Sequence, residues 1–270
     1  MVSLLHLLAL GLYGLATAVA LAPFVGRRAD PLPRFLVLGA PAAGAAFHVA
    51  GIAQLTLVGL ASGLSMLALC LVLLQLLAER VLRASAVSVF TAPLAASLVG
   101  LALLIGLEAS GRGGAEPSAG RNAWFILHVT LSVLGLAFLT LAFIAGALYL
   151  VQFRELKSKR FGQVFQMFPA LERLDRLNQV ALVAGFPTLT LGVLLAVGYA
   201  LRYAGGLHVD QAQIVWGGLT WTILGWAVWM RTVRRWAGRR AAIASIAGFA
   251  AVVLVYVALK LARPGAERFL

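Results

Sequence analysis

Residues 123–152 read AWFILHVTLSVLGLAFLTLAFIAGALYLVQ, a run without one charged side chain. A helix needs about 20 consecutive apolar residues to cross the hydrocarbon core of a bilayer. In lipid, a helix satisfies every backbone polar group within its own segment, so this run reads as a membrane span with one imidazole, His128, inside it. Working outward, comparable runs lie near 3–25, 35–57, 62–79, 86–107, 178–201, 212–230 and 240–262. The pattern predicts an all-α polytopic membrane protein of about eight transmembrane helices, forming a single domain over residues 1–270. The turn between the second and third runs is placed at Ser62-Gly63, the weakest of the boundaries.

Composition agrees with that reading. The chain is 62% hydrophobic and 11% charged, with a mean hydropathy of +0.96, against roughly 25% charged residues in soluble domains. Too little polar surface is available to cover a water-soluble fold, so a soluble catalytic domain is excluded. Lys and Arg number 22 against nine Asp and Glu, giving +13. In a soluble protein that excess would point to nucleic acid. Here the cations sit between apolar runs, where anionic lipid headgroups and the positive-inside rule account for them. The bilayer is therefore the expected partner and nucleic acid is not.

The same cations orient the chain. With the N- and C-termini outside, the inner segments hold 16 of the basic residues, among them Arg154, Lys157, Arg231 and Arg240, and the outer segments hold six. The N-terminal MVSLLHLLAL has no basic residues ahead of its apolar run, so it is expected to remain as a span rather than be cleaved as a signal peptide. Residues 108–121, EASGRGGAEPSAGR, read as an external Gly-rich loop. PALERLDRLNQV, from Pro169, puts Leu171, Leu174 and Leu177 on one face and reads as a short amphipathic helix on the inner membrane surface. Cys70, the single cysteine, lies in an apolar run and reads as a small buried hydrophobe. All nine acidic residues fall at the ends of the runs or between them, so no buried carboxylate and no proton relay of an ion-coupled transporter is expected.

Histidine is what remains for chemistry. His6, His48, His128 and His208 all fall on the outer side in this topology. At a rise of 1.5 Å per residue His128 lies roughly 7 Å below the outer end of its span and His48 roughly 14 Å. Two imidazoles at comparable depth on different helices can ligate one haem iron; each can equally serve as a helix-to-helix hydrogen bond. His6 and His208, nearer the interface, read as solvated. Trp216 and Trp221 read either as part of the interfacial aromatic belt or as a flat platform for a porphyrin.

Three patches carry a family resemblance. They are Thr220-Trp221 followed by Arg231 and RWAGRRAAIASIAGF (235–249), His128 with Ser132 in a His-x-x-x-Ser span, and PALERLDRLNQVALVAGFPTLTLG (169–192). FHVAG around His48 and the Ser65 region match more loosely. Together they resemble the cytochrome c assembly family of membrane haem-handling proteins, in particular its HemX-like branch. The family's tryptophan-rich outer stretch is reduced here to Trp216. The family's inner histidine falls on Trp229 and its second external histidine on Glu267. What the resemblance implies is a non-enzymatic haem-handling protein of cytochrome c biogenesis in the cell (inner) membrane, working with other cytochrome c maturation proteins. Haem would dock in the outer leaflet on His128 and His48, with Trp216 and Trp221 beside it and Arg121 or Arg202 facing its propionates. The alternative is a haem-free scaffold or regulator of tetrapyrrole synthesis acting through a protein partner.

Overall fold

The computed structural model describes residues 1–25, 34–55, 57, 59–83, 85–107, 119–159, 168–203, 206 and 212–262. Among them the chain forms eight α-helices: α1 (Val2–Val25), α2 (Arg34–Ile52), α3 (Leu60–Leu82), α4 (Ser88–Ile105), α5 (Ala119–Ser158), α6 (Leu171–Tyr203), α7 (Ala212–Thr232) and α8 (Arg239–Ala262). A single 3-10 turn, Ser85–Val87, leads into α4. Six of the helices are long and apolar enough to cross a membrane, and α2 contributes a shorter apolar stretch, Leu38–Ile52. The protein is a multi-pass, all-α membrane protein.

The helices close into two rings of four. In the first, α1 packs on α2 and α4, and α3 packs on α2 and α4. In the second, α5 packs on α6 and α8, and α7 packs on α6 and α8. The join between the rings is chiefly α3 against α5. The first ring is centred on small residues, Ala9, Ala45, Ala68 and Ala95, with Tyr13 and Val72; small side chains let membrane helices approach closely. The second ring and the join share a larger core in which Leu71 and Leu74 of α3 meet Leu139, Ile144 and Leu148 of α5, Leu182 of α6 and Leu224 of α7.

Three expectations are corrected. The break between the second and third helices falls at residues 53–59, and Ser62 and Gly63 lie inside α3. The segment 171–180 is not a separate surface helix: it continues into α6 without interruption, because Leu174, Leu177, Asn178 and Ala181 form one buried stripe along it. A carboxylate is buried after all. Glu79, in the last turn of α3, is 8% exposed. The external loop lies outside the described residues over 108–118; its last three residues, 119–121, are the start of α5.

Candidate functional site

His128 lies on α5, half-buried against α6. Its Nδ1 stands 2.8 Å from the carbonyl oxygen of Gly192. A carbonyl only accepts, so Nδ1 carries the proton and Nε2 carries a lone pair. Ser132 Oγ, one turn along α5, lies 3.3 Å from the same Nδ1. Among the described residues Nε2 has no hydrogen-bond partner. The geometry depends on Gly192, since a Cβ there would come within 2.6 Å of Ser132 Oγ. The helices touch at this point and the carbonyl is presented to the ring. One turn further toward the start of α5, Trp124 donates its indole N–H to the Leu195 carbonyl at 2.8 Å and meets Tyr203 edge-on. This seam is the outer end of α5 and α6 on the charge-based orientation.

His48 has a different environment. It is fully buried in the first ring, with Nε2 2.8 Å from Ser65 Oγ and Nδ1 3.1 Å from the Tyr13 hydroxyl. His6 joins the same serine from the other side at 3.0 Å, and its Nδ1 lies 2.9 Å from the Val2 carbonyl. One arrangement of protons satisfies this chain. The Val2 carbonyl takes Nδ1–H of His6, so His6 Nε2 accepts from the Ser65 hydroxyl. Ser65, its proton committed, accepts Nε2–H of His48, and His48 Nδ1 accepts from Tyr13. Every ring nitrogen is used. Tyr13 and His6 are seven residues apart on α1 and seat against Gly44 and Gly51, seven apart on α2; a Cβ at either glycine would lie 2.7 Å from a ring atom.

The four residues singled out from the sequence therefore do not converge. His48 belongs to α2, which packs on α1 and α3, whereas His128 belongs to α5, which packs on α6, α8 and α3. Trp216 donates to the Val252 carbonyl on α8 at 3.2 Å. Trp221 donates to Thr190 Oγ1 on α6 at 2.9 Å and packs on Phe186. Thr190 and Gly192 are about 200° apart around α6, so Trp221 and His128 sit on opposite sides of that helix. His6, expected near solvent, is fully buried. His208 and the side chain of Arg121 lie outside the described residues; Arg202 is exposed at the end of α6 with its guanidinium 5.5 Å from the Tyr203 ring centre. Sequence reasoning did not single out Tyr13, Trp124 or Gly192 as site residues, and it read His6 as solvated. The visible signal for two of them was the matched seven-residue spacing of His6 and Tyr13 on α1 with Gly44 and Gly51 on α2.

The inner end of the second ring is closed by charge. Arg231 on α7 meets Asp175 on α6 through two bonds of 2.7 Å, and the Gly238 amide ahead of α8 donates to the same carboxylate at 2.8 Å. The Arg231 side chain is 4% exposed. A two-pronged guanidinium–carboxylate pair is among the stronger side-chain contacts, and this one ties three helices together. Beside it in the core, Asn178 donates both to the Ala142 carbonyl and to Ser245.

Residues 57–266 match the cytochrome C assembly protein family. The chain belongs to this family. The match takes in His128, Ser65 and all of α3–α8, and begins after α2, so His6, Tyr13 and His48 precede it. Among individual proteins, the chain is 25% identical to the cytochrome c biogenesis protein CcsA of Chlamydomonas reinhardtii over 55% of its own length and 41% of that protein's. It is 25% identical to Protein HemX of Bacillus subtilis (strain 168) over 50% of its length and 49% of that protein's. With CcsA of Prochlorococcus marinus (strain NATL1A) the identity is 24% over 73% of this chain and 70% of the relative. It thus spans about half the length of the first relatives it matches. The family membership and the HemX likeness agree with the resemblance read from the three sequence patches.

Proposed function

We propose that the chain is a non-enzymatic haem-handling and assembly protein of cytochrome c biogenesis, residing in the cell's inner membrane. Haem docks in the outer leaflet at the α5–α6 seam, with His128 as iron ligand. The observation that carries this reading is the state of the His128 ring. Imidazoles that bind metals commonly donate the other ring N–H to a carbonyl or carboxylate, which fixes the tautomer and aims the free nitrogen. His128 has that arrangement through Gly192, with Nε2 open. The haem would supply an iron that accepts an imidazole nitrogen and a flat apolar face that favours the membrane. Trp124 borders the position from one turn along α5, and the exposed Arg202 offers a charge-assisted donor to a propionate. His48, with both nitrogens engaged by Ser65 and Tyr13, is not available as the opposite ligand in this arrangement. Family membership and the likeness to CcsA cytochrome c biogenesis proteins favour the same pathway, in which haem, lipid and other maturation proteins are the partners.

A second reading keeps the scaffold without haem. The separation of His48, Trp216 and Trp221 from His128 favours it, as does the likeness to HemX. The basic inner ends of α5 and α6 would then bind a protein with an acidic surface, such as an enzyme of tetrapyrrole synthesis. An absorption spectrum of the detergent-purified protein decides between them. The haem reading expects a Soret band, with sharp reduced-state bands, in the wild type and in His48→Ala but not in His128→Ala. A colourless protein from haem-replete cells, or a band that survives His128→Ala, overturns it.

A further inference from the structure

The turn between α7 and α8 gathers cations that neither the ring closure nor the haem site uses. Residues 233–240 read VRRWAGRR, and from 211 to 266 the sequence has no acidic residue. Arg234, Arg235, Arg239 and Arg240 are all exposed. Arg239 and Arg240 open α8, where the positive end of the helix dipole adds to their charge instead of offsetting it. The elements packed on α7 and α8 bring the carboxylates of Glu172 and Asp175 on α6 and of Glu155 on α5. Asp175 is held by Arg231, and among the described residues none of the four turn arginines enters an ion pair.

The turn is ordered. The amides of Val233 and Arg234 both donate to the Trp229 carbonyl, and that of Trp236 donates to the Met230 carbonyl. Arg235 takes the left-handed conformation at φ 52°, and the Gly238 amide is bonded to Asp175. This backbone folds Trp236 against α7, edge-on to Trp226 with ring centres 6.2 Å apart. It also sets the Arg234 guanidinium 6.0 Å from the Trp229 ring centre, the reach of a cation–π contact. Trp226 and Trp229, three residues apart and so on one side of α7, are 43% and 46% exposed. On a helix packed between the spans α6 and α8, indoles exposed at the inner end meet the headgroup level of the bilayer. Orienting the chain asks only that arginines be present in the loop. It does not ask for a fixed turn with two indoles beside it.

We infer that this corner is a binding site for an anionic phospholipid of the inner leaflet, with its phosphate on the two arginine pairs and its glycerol and upper acyl chain along Trp226 and Trp229. A guanidinium matches phosphate geometry and holds its charge. Basic clusters at the cytoplasmic ends of spanning helices recognise acidic headgroups in this way. A soluble phosphate or a nucleic acid would use the arginines and leave the indoles idle, whereas a lipid uses both. Because Arg231 and the Gly238 amide share Asp175, a lipid seated on this turn bears on the ion pair that closes the second ring. The site stands apart from the haem-handling reading and survives its failure.

Native mass spectrometry of the intact protein, released from detergent holding equal phosphatidylglycerol and phosphatidylcholine, tests this. The wild type should retain phosphatidylglycerol in preference by at least about fivefold, the effect of even one arginine near the headgroup plane. The variant carrying Arg234→Gln, Arg235→Gln, Arg239→Gln and Arg240→Gln should lose the preference. A charge-matched variant carrying Arg80→Gln, Arg83→Gln, Arg154→Gln and Lys157→Gln should keep it. A second measurement needs no variant: phosphatidylglycerol should raise the thermal midpoint of the wild type in detergent, and phosphatidylcholine should not. Equal retention of the two lipids by the wild type would overturn the assignment. So would a preference that survives the four turn substitutions or is lost equally in the charge-matched variant. A midpoint raised as much by inorganic phosphate, a short RNA or an acidic peptide would overturn it as well.

Discussion

The two four-helix rings each place histidine between helices, and they do opposite things with it. In α1–α4, His6 and His48 spend all four ring nitrogens on Val2, Ser65 and Tyr13. In α5–α8, His128 spends one nitrogen on Gly192 and leaves the other open. A side chain whose hydrogen-bonding capacity is exhausted can hold helices together but has nothing left for a ligand. One that is half committed is aimed by its first bond and free at its second atom. The same residue type thus serves cohesion in one ring and presents a ligand atom in the other, and the difference lies in the neighbours rather than in depth or spacing.

That contrast can be broken from several sides. The largest stability loss is expected from Arg231→Ala, which leaves Asp175 partly buried without its partner and frees α7 from α6; removing one member of a buried pair costs roughly 3–5 kcal/mol. It should appear as a marked drop in the thermal midpoint in detergent. His48→Ala should follow, since it leaves the buried Tyr13 hydroxyl without its acceptor, at about 1–3 kcal/mol for a buried unsatisfied group, while Ser65 keeps its bond to His6, with no change in any haem spectrum. Gly192→Ala forces a Cβ against Ser132 and should cost about 1–3 kcal/mol through overpacking. Unlike His48→Ala, it should also weaken haem absorption, because it pushes α5 and the His128 ring away from the carbonyl. His128→Ala should be the mildest for stability, about 0.6 kcal/mol for one interhelical bond in a membrane, and the most severe for haem. If His48→Ala removed the haem signal and His128→Ala did not, the roles of the two rings would be exchanged.

The eight runs were legible because hydropathy is a one-dimensional signal and each run is long. Helix ends were less so. The sequence 169–180 has an amphipathic face whether its leucines meet lipid or protein; it is the burial of Leu174 and Leu177 in the core of the second ring that shows they meet protein. The reading of Glu79 failed for a related reason. Closeness to the end of a run says how deep a residue lies, not which way it points, and α3 turns this one inward, where it is 8% exposed. His128 stood out as an imidazole in an uncharged span, and its matching serine one turn on was visible. That its acceptor would be Gly192 was not, because a glycine carbonyl carries no signature in the sequence. Pairing His48 with His128 rested on comparable depth on different helices, and two residues near one level of a bundle need not lie on the same side of it.

The length of α5 has a mechanical meaning. Forty residues of unbroken helix make a rod of about 60 Å, near twice the hydrocarbon thickness, and it contains no proline to kink it. Trp124 and His128 ride at one end, and Arg154 and Lys157 at the other. A rod pivoting where the bilayer grips it moves its two ends in opposite directions. Anything that draws the basic end sideways therefore swings the histidine end the other way, and the outer face can register an event on the inner face with no intermediate part.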